Sequence, residues 1–325
     1  MKKNSYWVSG LLIALVLAGC SNGTGGDSGG GTIVYTAGYH SVTGSPNNPC
    51  YWKDGNRIDL PFTGGDGVAT GITVSGGTVY TAGYYVDGGN NPCYWKDGNI
   101  IDLPFTGSGG AAMAITVSGG TIYIAGYSGN NPCYWKDGNI IDLPFTGSIG
   151  GAARAITVSG GTVYTAGSNG YNPCYWKDGN RIDLLFTGSS GYATAITVSS
   201  GTVYTAGSYV GGDRKPCYWK DGNRIDLPFT GSYGNANAIT VSGGTVYIAG
   251  DYFDGDRKPC YWKDGNRIDL PFTGSGEAYA IAVSGGTVYI AGNNGGKPCY
   301  WEDTTRIGLS FGGNFGSARG IFVTE

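Results

Sequence analysis

Seven cysteines recur in one setting, each followed by Tyr-Trp: Cys50, Cys93, Cys133, Cys174, Cys217, Cys260 and Cys299. Their spacings are 43, 40, 41, 43, 43 and 39 residues. Thiols in an exported chain can oxidise in pairs, and cysteines elsewhere hold metals. Neither chemistry suits this pattern. Seven is an odd number, no Cys-x-x-Cys occurs, and equivalent positions on separate repeat units lie beyond the Cα separation of about 7 Å that a bridge tolerates. These thiols are expected to be free, buried and apolar in role, and no metal centre and no cofactor is expected.

Acid–base chemistry is equally poorly served. The one histidine, His40, falls in a variable loop with no Ser or Cys pattern to use it. Six aspartates recur as Ile-Asp-Leu at Asp59, Asp102, Asp142, Asp183, Asp226 and Asp269, with Gly308 in the last copy. One per unit is too dispersed for a carboxylate pair, so they read as buried hydrogen-bond anchors. Asp251, Asp254 and Asp256 form a calcium-like loop that lacks the Gly and Glu of an EF-hand and runs into Arg257 and Lys258. No catalytic residue is assigned. The Trp and Tyr beside each cysteine could stack sugars, but an aromatic at the same place in every copy reads first as packing between copies.

The elements that must position these residues repeat about every 40 residues. In the second copy Ala69–Ser75 and Thr78–Gly83 are alternating β runs joined by Gly76-Gly77, and Pro92–Lys96 and Asn99–Leu103 are joined by Asp97-Gly98. Gly-Gly and Asp-Gly between β-branched or aromatic runs are tight-hairpin sequences. Four strands a–b–c–d per copy, with bulk on both faces of strand c, predict sheets sandwiched between sheets. The chain enters at a strand b (Thr32–Gly38) and leaves on a strand a (Ala318–Val323). The prediction is an all-β, seven-bladed β-propeller over residues 32–325, with four-stranded blades and the ring closed by the C-terminal strand completing the N-terminal blade. The last copy reads Trp301-Glu302-Asp303-Thr304-Thr305 without Asp-Gly, which predicts a looser hairpin.

Variation between copies is one-sided. The a–b and c–d turns barely change, whereas the b–c and d–a loops, which share the opposite end of the strands, change freely. Variable loops on a rigid frame are the usual seat of recognition. The residue two before the first Ile of strand a is placed at the mouth of the central channel. It reads Thr70, Met113, Arg154, Thr194, Asn237, Tyr279 and Arg319. Two arginines with Tyr and Asn facing one opening suit an anionic or sugar ligand; the plainer reading is that they are ordinary solvated loop residues.

The unit Trp-x-x-Gly-x-x-x-Asp-Leu … Ala-x-Ala-Ile … Gly-x-Val-Tyr-x-Ala-Gly resembles the bacterial extracellular HAF-type repeat and similar lipoprotein propellers. Here Pro-Cys-Tyr precedes the Trp where that repeat has His-Ala-Phe-Leu, and Leu-Pro-Phe-Thr-Gly replaces Leu-Gly-Thr-Leu-Gly-Gly. The resemblance covers residues 32–325 and implies a fold and export, not an activity.

Residues 1–19 have the basic start, short apolar core and small-residue end of a secretory leader. Leu17-Ala18-Gly19-Cys20 is similar to the bacterial lipobox, which implies cleavage before Cys20 and acylation of its thiol. Ser21 at the next position implies sorting to the outer membrane. Residues 20–31 are then the lipidated Cys20 and a Gly/Ser tether of about 20 Å. Loss of Lys2 and Lys3 leaves 18 basic against 23 acidic residues, or −5, which disfavours nucleic acid. The expected protein is a monomer, held to a membrane through Cys20 on the surface or periplasmic side. Its expected role is an envelope binding or scaffold propeller that recognises a protein or glycan through its loop-bearing face. The alternative is an envelope glycan-active enzyme, a hydrolase or lyase, with its site in the channel. A third reading is a purely structural coat.

Overall fold

Two turn chemistries set up each repeat. In the second, Gly76 (φ +56°) and Gly77 (φ +80°) take left-handed backbone that favours glycine and join β4 (Asp66–Ser75) to β5 (Thr78–Val86). Asp97 (φ +46°) and Gly98 (φ +79°) join β6 (Asn90–Lys96) to β7 (Asn99–Asp102). The Asp97 carboxylate ties this turn to the neighbouring strand: Oδ1 accepts the Val79 backbone N–H of β5 at 2.9 Å. The same bond recurs in every copy, from Val34 N–H to Asp54 Oδ1 at 2.9 Å through Val288 N–H to Asp303 Oδ1 at 3.0 Å.

The computed structural model describes residues 31–325 except Ser148, so Cys20, the leader and most of the tether lie outside the described residues. The described residues form 28 strands, β1–β28 in chain order, and no helix. Neighbours within a unit are antiparallel. Five sheets have four strands, and one of eight consists of two such units joined by a single parallel pair, Arg214 with Tyr233. β28 (Phe315–Thr324) pairs antiparallel with β1 (Ile33–Ser41), so the last strand completes the sheet of β1, β2 (Asn48–Lys53) and β3 (Asn56–Asp59). First strands of successive units touch: β4 meets β8 (Gly110–Ser118), and the series runs on through β12 (Ala152–Ser159), β16 (Ser190–Ser199), β20 (Tyr233–Ser242) and β24 (Gly276–Ser284). β24 meets β28, and β28 meets β4. The all-β, sheet-by-sheet repeat is consistent with a β-propeller.

Alternation along the third strand decides how sheets stack. Cys93 and Trp95 pack with Tyr35, Ala37 and Leu60 of the preceding sheet. Tyr94 and Tyr80, on the other face, pack with Cys133 and Trp135 of the following one. Lys96 lays its ammonium 5.8 Å from the Tyr80 ring. All seven repeat Trp are essentially inaccessible, and each indole N–H donates to a carbonyl in the loop of the preceding sheet, as Trp95 does to Pro61 at 2.7 Å and Trp262 to Pro228 at 2.8 Å. The Trp are therefore inter-sheet core, and the seven cysteines are buried free thiols. Burial pushes their thiols up, Cys299 to about 12.

Three expectations are corrected. The Ile-Asp-Leu aspartates are not buried anchors: the side chains of Asp59, Asp183, Asp226 and Asp269 are more than half exposed and paired with arginines two residues back on the same strand. The last residue of an outer strand puts such a carboxylate at the sheet edge, and the anchoring role falls to the turn aspartates instead. The last hairpin is not longer than the rest: Glu302 pairs with Thr305 across the same two residues, with Asp303 at φ +51°. The Asp303 bond to Val288 holds the turn without glycine. Finally, parts of the variable b–c segments are strand, because residues such as Tyr209 and Tyr252 pair across them.

Candidate functional site

The seven residues singled out as a channel mouth share one structural position. Each is the extra residue of a β-bulge: pairing skips Thr70, Met113, Arg154, Thr194, Asn237 and Tyr279 against the second strand of their units, and Arg319 against β1. A bulge leaves one residue outside the ladder and re-aims its side chain. They therefore sit within first strands, not in solvated loops, and Thr70, Met113, Thr194, Asn237 and Tyr279 are buried.

What they do there divides them. Thr70 Oγ donates to Ala82 O of its own sheet at 2.9 Å and is 2.8 Å from Ala112 O of the next. Thr194 Oγ is 3.1 Å from Ala206 O and 2.7 Å from Ala236 O. Asn237 Nδ2 donates to Ala278 O at 2.7 Å. These three tie one sheet to the next. Met113 packs with Ala111, Tyr84 and Tyr127. Arg154 holds its guanidinium 5.7 Å from the Tyr192 ring, its Nε is buried without a partner, and it forms no ion pair among the described residues. Burial lowers the Arg154 guanidinium from its ordinary value.

Two further positions per sheet, missed from sequence, complete the picture. One is the residue after the Gly of strand b, and the other is its partner two before the bulge. They pair as Tyr84 with Val68, Tyr127 with Ala111, Asp251 with Asn235, Asn293 with Glu277, and Tyr39 with Ser317. The signal was available: the Tyr-x-Ala-Gly run is constant, so the residue after its Gly could be compared across copies.

In the sheets of β20 and β24 these positions form a charged network. Asp251, fully buried, accepts Asn235 Nδ2 at 3.1 Å and Asn237 Nδ2 at 3.0 Å, with Arg257 Nε at 3.5 Å. Burial pushes the Asp251 carboxyl up, against the pull of Arg257, Asn235 and Asn237. Arg257 also pairs with Glu277 and donates to Tyr233 OH at 3.2 Å. Glu277 accepts the Tyr279 hydroxyl and Asn293 Nδ2, the latter at 3.0 Å. The Arg319 guanidinium lies 5.1 Å from the Tyr279 ring centre and 5.4 Å from that of Tyr39. A cleft of about 370 Å³ opens here, lined by Tyr39, Glu277, Tyr279, Asn293, Phe315 and Arg319 with Ser275 and backbone of Gly295, Gly296 and Gly316. Thus Tyr279 and Arg319 come together in one cleft, Asn237 joins through Asp251, and Thr70, Met113 and Thr194 do not take part. The cleft offers ring faces, a carboxylate, an amide and a guanidinium.

The acids of the calcium-like segment do not converge. Asp251 and Asp254 lie three residues apart on β21 (Thr245–Asp254), so they face opposite sides, and Asp254 pairs with Lys258 at 3.1 Å. His40 is in β1, not a loop; it is buried, and its Nε2 lies 3.1 Å from Asp59 Oδ1.

Comparison with family models and with curated proteins finds no match to this chain.

Proposed function

We propose that this chain is a seven-bladed propeller of the bacterial envelope, anchored through acylated Cys20. In this reading it binds a protein or glycan through its loop-bearing face. The support for the ring is the unbroken series of first-strand contacts that returns from β28 to β4. The observation that carries the binding role is the cleft, where Tyr39, Phe315, Glu277, Asn293 and Arg319 present aromatic faces beside polar forks. That combination suits a sugar ring bearing a negatively charged group. Arg154, which has no carboxylate partner among the described residues, adds a second cation at the same bulge position.

The test is binding of the full chain to a panel of neutral and acidic polysaccharides, comparing wild type with Glu277→Gln and Arg319→Gln. Tyr279→Phe, which keeps the buried ring and removes only the hydroxyl, is the third variant. Selective retention of acidic glycans, weakened at least about tenfold by Arg319→Gln with the melting temperature held, is the expected result. Unchanged retention in all three variants removes the cleft from the reading. Release of the propeller by protease added to intact cells is expected for a surface-facing anchor, and protection until the envelope is opened for a periplasmic one.

An enzyme is the second reading, because Glu277 gives the cleft one asymmetrically placed carboxylate. It predicts new reducing ends from a bound polysaccharide, lost in Glu277→Gln.

A further inference from the structure

Outside the residues that line the cleft, one group of three metal-ligating side chains converges among the described residues. His40, Cys50 and Asp59 each offer a ligand atom, and these lie within 4.8 Å of one another. The strand register brings them together. Cys50 on β2 stands opposite Gly38 of β1 and opposite Asp59 of β3. His40 follows Gly38 by two residues, so it shares the face of Cys50. Three adjacent strands thus place an imidazole, a thiol and a carboxylate on one side of the first sheet.

The other sheets serve as internal controls, because all keep the cysteine and all but the last the aspartate. Where the first sheet has His40, the second has Tyr85, whose hydroxyl donates to Asp102 at 3.2 Å, and the fifth has Tyr209, 3.3 Å from Asp226. Ser128, Asn169 and Asn294 turn instead to backbone N–H groups of the neighbouring loop. Only the first sheet adds a nitrogen ligand. A tyrosine or asparagine satisfies the site with simple hydrogen bonds. His40 Nε2 makes the matching contact with Asp59 at 3.1 Å, but its Nδ1 is left buried with no partner among the described residues.

We propose that His40, Cys50 and Asp59 form a zinc site. A thiolate, an imidazole and a carboxylate are the donors zinc takes, and a buried sulfur disfavours calcium or magnesium. Zinc bonds of about 2.0–2.3 Å require the three atoms to close up by about 1 Å, which side-chain rotation supplies. Asp59 is 59% exposed and gives the ion a way in and water a place as fourth ligand. Binding displaces the Cys50 thiol proton to solvent as the Zn–S bond forms. One feature opposes the ion. Arg57 Nε rests 2.8 Å from Asp59 Oδ1, so the guanidinium must swing off the carboxylate.

The experiment is titration of the full chain with zinc chloride, and with cobalt chloride followed by its thiolate charge-transfer absorption. Wild type is compared with His40→Tyr, Cys50→Ser and Arg57→Ala. His40→Tyr installs the residue the second sheet already carries, so it should fold. Cys20 is common to all four proteins and cancels. The expected result is one equivalent of zinc that raises the melting temperature, a cobalt–thiolate band, loss of both in Cys50→Ser, at least about tenfold weaker binding in His40→Tyr, and tighter binding in Arg57→Ala. No binding, or binding and a band that survive His40→Tyr, overturns the site.

Discussion

The same three backbone positions have opposite contents in two parts of the molecule. In the sheets of β4 and β8 they hold Val68, Thr70 and Tyr84, then Ala111, Met113 and Tyr127. In the sheets of β20 and β24 they hold Asn235, Asn237 and Asp251, then Glu277, Tyr279 and Asn293. The bulges and the register are alike. A constant frame, held by turn aspartates and indole N–H bonds, lets one position be core in one sheet and part of a polar network beside a cleft in another. Sequence variation at such a place changes what the site can hold without moving the backbone.

The largest effect should come from the polar side. Asp251→Ala leaves Arg257, Asn235 and Asn237 facing a void and should cost about 3 kcal/mol in urea unfolding. Asp251→Asn should cost clearly less, because burial already favours the uncharged acid there. Equal costs would mean that the charge, and not the packing and hydrogen bonds, holds this part together. Met113→Ala on the apolar side should cost about 2 kcal/mol through the cavity it leaves among Ala111, Tyr84 and Tyr127, with ligand retention unchanged. A change in retention would carry the site across to that side. Thr194→Val, nearly isosteric, removes the bonds to Ala206 and Ala236 and should cost about 1 kcal/mol, with no change in retention; a cost near zero would show that the sheets need no such tie.

Much of the frame was legible because each signal repeats. Gly-Gly and Asp-Gly fix the hairpins, and Cys-Tyr-Trp alternation fixes the two packing faces. What escaped is long-range or register-dependent. The bulge is invisible in a strand that alternates cleanly on either side of it, so Thr70 and Tyr279 read as residues of a channel mouth and not as groups buried between sheets. Asp97 and Asp102 are both aspartates near a turn, and only the register shows that the first is tied to Val79 and the second faces solvent. His40 looked isolated because Cys50 and Asp59 reach it across strands. The cleft depends on Arg257, which sits on a different sheet from Glu277 and Tyr279.

Pairing of β28 with β1 has a kinetic meaning as well. Trp52 Nε1 donates to Ser310 O across 258 residues of chain, while the matching bond of Trp95 spans only 34. Contacts so distant along the chain form late, after the loop entropy has been spent. As the polypeptide emerges, the middle sheets can each assemble from neighbours already made. Residues 33–59 must wait with one strand edge bare until residues 315–324 arrive, and that wait sets the interval in which the chain is most open to proteases and to its own copies.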